Sequence, residues 1–114
     1  MHLGRLYHIA QAEEWQAAKR HGSYWPSNPP SCPFIHFSFG HQLLATANRL
    51  FVGRADLMLL TVDEEAVRDA IKVELAPNEN ESYLHLCRAL KPHEVIAEVK
   101  MVPGTEGRFA HLPE

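Results

Sequence analysis

The chain has 114 residues, 46% of them apolar and 22% charged, with a formal net charge of −3. These values describe one globular domain over residues 1–114, long enough to bury a core without staples. Charges of both signs are mixed along it, which excludes the clustered basic surface that DNA binding needs.

No apolar run approaches the ~20 residues that span a bilayer. The segment Met1–Arg5 lacks the apolar stretch of a secretory signal, so a cytoplasmic protein is expected. Cys32 and Cys87 stand in no metal or redox spacing and are expected to be reduced thiols. Histidine is the outlier, with eight spread along the chain.

In chain order, Leu6–Ala10 reads as a first strand. Glu13–Arg20 follows as a helix, acidic in its first turn and basic in its last, as the helix dipole favours. Gly22 stops it. Pro26, Pro29, Pro30 and Pro33 then impose an irregular loop, with Tyr24 and Trp25 at its mouth. Phe34–Ser38 is a short strand.

Leu43, Leu44, Ala47, Leu50 and Phe51 recur on one helical face, ended by Gly53. Leu57–Val62 is a near-continuous apolar run, expected to be a central strand buried on both faces. Glu64–Ala70 reads as one or two helical turns or a loop. Ile71–Leu75 is a strand, 77–81 a polar turn and Tyr83–Cys87 another strand. Pro92 opens a single helical turn, and Val95–Val102 is the last strand. Two principal helices among about six strands make an α+β fold.

Three of these strands place a histidine between apolar neighbours: Tyr7-His8-Ile9, Ile35-His36-Phe37 and Leu84-His85-Leu86. Alternation puts His8 with Leu6 and Ala10, His36 with Phe34 and Ser38, and His85 with Tyr83 and Cys87. If the flanking apolar residues face the core, each imidazole points to the other side of its sheet, into solvent or into a cleft. A lone strand histidine is most often structural. Three that converge would make a site that donates, accepts and titrates near neutral pH.

At these residues the chain resembles the bacterial domain-of-unknown-function-952 family. The resemblance rests on Leu6-Tyr7-His8-Ile9, Trp15, Gly22-Ser23-Tyr24, Pro26, Phe34-Ile35-His36 with Ser38, Ala47-Asn48-Arg49, Leu57–Leu60 and Leu84-His85-Leu86. It covers essentially the full length. Trp25, Phe39-Gly40-His41 and Cys87-Arg88 depart from the family's usual residues.

The family is similar in fold to the ADP-ribosyltransferases, which implies two small curved, mainly antiparallel sheets packed at an angle around an NAD-binding cleft. The resemblance places His8 where transferases contact the nucleotide, His36 and Ser38 on the next core strand, and His85 near the usual Glu or Gln. Breaking the nicotinamide–ribose bond develops positive charge on the sugar, which a carboxylate would stabilise. His85 is no carboxylate; Glu94 and Glu98 are candidate substitutes, although surface acids are usually solvated.

Tyr24 and Trp25 are candidates to stack on a nicotinamide or adenine ring, or else to pack the loop. Ser38 would bond a ligand or cap the following helix. Arg88 is a candidate phosphate contact or an ordinary surface arginine.

The expectation is therefore a small nucleotide ligand, NAD as substrate, in a cleft lined by His8, His36, Ser38 and His85. ADP-ribosyl transfer or NAD glycohydrolysis is the activity the resemblance implies. The alternative is a non-catalytic module binding a nucleotide or a protein partner on the same fold. A metal hydrolase with histidine ligands comes third, because no short metal-type histidine spacing occurs and no metal is expected.

Overall fold

The computed structural model describes residues 4–26, 34–76 and 81–110. Most of the proline-rich loop (27–33) and the polar turn (77–80) lie outside them. Strand β1 (Arg5–Gln11) runs directly into helix α1 (Ala12–His21). Glu13 and Glu14 open α1, and Lys19, Arg20 and His21 close it, matching the dipole. Gly22 takes the left-handed conformation that only glycine adopts cheaply (φ 85°), and its N–H bonds Ala18 O at 2.8 Å.

Strand β2 (Ile35–Phe37) is followed by a 3-10 turn (Gly40–Gln42) and helix α2 (Leu43–Leu50). Here the sequence-based expectations need correction. The cap expected at Ser38 comes from Gln42, whose Oε1 accepts the Phe39 N–H at 3.1 Å. Ser38 instead uses its backbone to bridge to Tyr7. The buried face of α2 is Leu43, Thr46 and Ala47; Leu50, assigned to the apolar face, is 56% exposed.

Strand β3 (Leu57–Asp63) leads into the single turn α3 (Glu64–Val67), capped by Asp63 through Glu65 N–H at 3.2 Å. β4 (Ile71–Ala76), β5 (Glu81–Leu86), a 3-10 turn (Pro92–Glu94) and β6 (Val95–Met101) complete the chain of elements.

Two antiparallel three-stranded sheets result, ordered β1-β3-β6 and β2-β5-β4. They meet edge to edge where Tyr7 N–H bonds Ser38 O (3.0 Å) and Ser38 N–H bonds Tyr7 O (2.7 Å). As expected from its apolar run, β3 is central and buried on both faces.

One face of the first sheet, with Leu6, Ala10, Leu60 and Val62, packs on Trp15 of α1 and on Ile35, Phe37, Leu84 and Leu86 of the second sheet. The other, with Ile9, Leu57, Leu59 and Met101, packs on Leu43 and Ala47 of α2 and on Phe109. Asn48 pins that last segment: its Nδ2 donates to Phe109 O and its Oδ1 accepts Phe109 N–H, both at 2.8 Å.

This double burial alters the expectation for His8. It does share a face with Leu6 and Ala10, but that face is packed, so His8 is 7% exposed and lies inside the molecule. For β2 and β5 the alternation holds: Ile35, Phe37, Leu84 and Leu86 enter the core, and His36 and His85 stand on the opposite face.

Candidate functional site

The edge-to-edge meeting of β1 and β2 leaves a cavity of about 510 Å³, closed by the start of α1 and the end of α2. That volume lies within the ~300–1,000 Å³ range of small-molecule sites. His8 from the first sheet and His36 and Ser38 from the second line it together with Tyr24.

His8 is held at both ring nitrogens. Nδ1 lies 2.6 Å from the carbonyl oxygen of His36, and Nε2 lies 2.8 Å from the Tyr24 hydroxyl. A carbonyl only accepts, so Nδ1 carries the proton; Nε2 is then the lone-pair nitrogen, and Tyr24 O–H donates to it. Burial pushes the imidazole down to about 4, outweighing the bond to the His36 carbonyl, so it is neutral at pH 7. Tyr24 is pushed up from 10 by burial and by the nearby Glu14 carboxylate.

Those two shifts decide what the pair can do. Burial disfavours both the imidazolium of His8 and the phenolate of Tyr24, so it opposes moving the proton from Tyr24 to His8. The pair is a fixed, neutral polar floor and not an activated nucleophile. Its free capacity is on the Tyr24 oxygen, which can still accept a hydrogen bond. Tyr24 is 1% exposed, packed edge-on to Trp15 and His8.

His36 is half-buried, and three causes lower its pKa: burial first, then the charges of His85 and Arg49. His85 sits directly across the strand pair, ring centroid 5.9 Å from that of His36. It does not line the cavity. Its Nδ1 contacts Glu74 Oε1 at 2.9 Å, and its ring stacks on Phe34 at 3.8 Å; Phe34 in turn lines the cavity. Two of the three strand histidines therefore share the cavity, and the third stands one ring behind.

The other candidates fall elsewhere. Trp25, 43% exposed, is not part of the lining. Arg88 is committed. It donates to both oxygens of Asp69 (2.9 and 3.0 Å) and both of Glu94 (3.0 and 2.8 Å), and to Ala66 O and Ala89 O. That engagement raises its pKa and ties α3 to the Pro92 turn. Glu94 is thereby occupied, and Glu98 accepts from Trp15 Nε1 (2.9 Å) and Lys19 (2.8 Å); neither lines the cavity. Cys87 is an exposed free thiol. Among the described residues no three His, Cys, Asp or Glu side chains are grouped to hold a metal.

Sequence reasoning missed Glu14, Arg49 and Arg54, which line the cavity. Glu14 reads as a helix-dipole acid in its first-turn position, which conceals its proximity to Tyr24. Arg49 had a signal, since Ala47-Asn48-Arg49 is one of the motifs carrying the family resemblance.

Comparison with known proteins agrees with that resemblance. The model of the family described as "Protein of unknown function (DUF952)" matches residues 9–112. The chain is similar to protein CC0527 from Caulobacter crescentus, whose crystal structure shares 32% identity with a TM-score of 0.84, covering 91% of each chain. A double-mutant crystal form of that protein matches equally well. Its solution structure gives 31% identity and a TM-score of 0.75 over 91% of this chain and 90% of that one. No curated protein matches.

Proposed function

The chain belongs to DUF952, a family of unknown function, and for this member we propose a nucleotide-binding cleft of ADP-ribosyltransferase-like type, with NAD as the substrate cleaved or transferred. One observation carries the proposal: His8, Tyr24, His36 and Ser38, contributed by two sheets and the loop after α1, line one cavity of about 510 Å³. The donor set fits a nucleotide. The Tyr24 oxygen can accept from a ribose hydroxyl or a carboxamide N–H, and Ser38 can donate or accept.

His8 fixes Tyr24. Glu14, lining the cavity, supplies the carboxylate that stabilises positive charge on the ribose. As the ribose–nicotinamide bond breaks, its electron pair leaves with the ring nitrogen, which becomes neutral. Neutral His36 takes the proton from the attacking water or acceptor hydroxyl, whose oxygen bonds to the sugar. His85 acts through His36, helping to keep it unprotonated.

Binding without turnover is the second possibility, favoured by one observation: His85, aligned by resemblance with the transferase carboxylate, is turned to Glu74 and Phe34. The deciding experiment is chromatographic measurement of nicotinamide released from NAD by the wild-type protein and by His36→Gln. Release by the wild type that falls about 10²–10⁴-fold in the variant supports glycosidic cleavage. Saturable NAD binding without release makes the protein a binding module; no binding of NAD removes the nucleotide assignment.

A further inference from the structure

Two arginines line the cavity, and their surroundings differ. Arg54 is neutralised: its Nε and Nη2 donate to the two carboxylate oxygens of Asp56 (2.8 and 2.5 Å), and the Glu14 carboxylate also acts on it. Arg49, in the last turn of α2, has no hydrogen bond or ion pair with any carboxylate among the described residues. Its charge acts on His36, adding to the burial that lowers the pKa of that imidazole. A basic residue in a last helical turn also suits the helix dipole. That benefit needs only a charge near the helix end, not a place in the cavity wall.

The charges in the cavity are therefore segregated. The acid, Glu14, works on Tyr24 and Arg54, whereas Arg49, which pairs with no carboxylate among the described residues, acts on His36. Ser38 and Thr46 add hydroxyls to the lining. An anion beside Glu14 would be repelled. Beside Arg49 it would meet a guanidinium whose planar fork matches phosphate and which no carboxylate among the described residues holds.

We propose that Arg49 is the anion-recognition residue of the cavity, holding the phosphate groups of the ligand at the end of α2 beside His36. This rests on the nucleotide assignment and extends it: the diphosphate lies on the Arg49 side of His36, and the ribose bond to be broken lies between His36 and Glu14. The ligand class is a phosphorylated small molecule, and an uncharged nucleoside would bind poorly.

The test is calorimetric titration of wild type, Arg49→Gln and Arg54→Gln with inorganic pyrophosphate, ADP-ribose and adenosine. Arg49 is exposed on its helix, so the variant is expected to fold, and its melting temperature checks that. Loss of one charge-assisted contact should weaken pyrophosphate and ADP-ribose roughly 10–100-fold in Arg49→Gln. Arg54→Gln should change them by less than about threefold, since removing a guanidinium already held by Asp56 removes little. Arg49→Lys should recover part of the affinity as a point charge.

Equal affinities for wild type and Arg49→Gln, an Arg54→Gln loss as large as that of Arg49→Gln, or no pyrophosphate or ADP-ribose binding to the wild type would each overturn the proposal. The two proposals fail separately. Arg49-dependent pyrophosphate binding without NAD binding keeps the anion site and removes NAD. NAD cleavage indifferent to Arg49 does the reverse.

Discussion

His8 shows how one buried polar side chain links the two sheets. Its ring is satisfied by a carbonyl of β2 on one side and by Tyr24 on the other, so the interior histidine leaves neither nitrogen unpaired. The arrangement makes stability depend on pH in a definite sense. In the unfolded chain His8 takes up a proton near pH 6.5, whereas in the fold it resists until about pH 4. The unfolded state binds more protons in that window, so this contribution is complete above pH 6.5 and is lost as the pH falls toward 4. The loss is on the order of 3 kcal/mol, and His36, also held down by burial, adds to it with the same sign. Urea unfolding of wild type and His8→Gln at pH 7 and pH 4.5 measures it: the variant should lose clearly less stability on acidification. Equal losses would mean that other groups carry the acid sensitivity.

At the scale of elements, the strands and helices were legible from spacing, and the contacts between them were not. Apolar alternation and the Gly22 stop located β1 and α1 within a residue or two, and the unbroken apolar run located β3 at the centre of its sheet. The His36–His85 pairing depends on the register between strands almost fifty residues apart, which no local pattern encodes. Likewise α2 reads as apolar through Phe51, yet Leu50, in its last turn, is exposed and borders the cavity, while Phe51 packs against the core. Asn48, which enters the sequence reading only through the Ala47-Asn48-Arg49 motif, is a clamp on the Phe109 backbone. Asn48→Ala should cost about 1–3 kcal/mol by leaving that peptide without its partner. The change should leave ligand affinity unaltered, because Asn48 is not part of the cavity lining. Thermal melts with and without ADP-ribose check both halves; an unchanged melting temperature would mean the clamp is replaced by water at no cost.

At the scale of the whole molecule, the site exists only once both sheets are assembled. His8 comes from one, His36 and Ser38 from the other, and the Tyr7–Ser38 bridge sets their spacing. This explains why the sequence pointed to the histidines as a group but not to the membership of the site. Recurrence of one local pattern marked three strands, whereas burial on both faces of the first sheet turned His8 inward and left His85 behind Phe34. A ligand that binds only the assembled cavity should stabilise the fold by about 2.7 kcal/mol at a hundredfold excess over its Kd.

The most direct measurement is the nitrogen-resolved NMR spectrum of the histidine side chains as ADP-ribose is added to the wild-type protein. The ring signals of His8 and His36 should move together and saturate, while those of exposed His41 and His93 stay in place. If His8 and His36 hold still at millimolar ADP-ribose, or shift no more than the exposed rings, the cavity between the two sheets is not a nucleotide site.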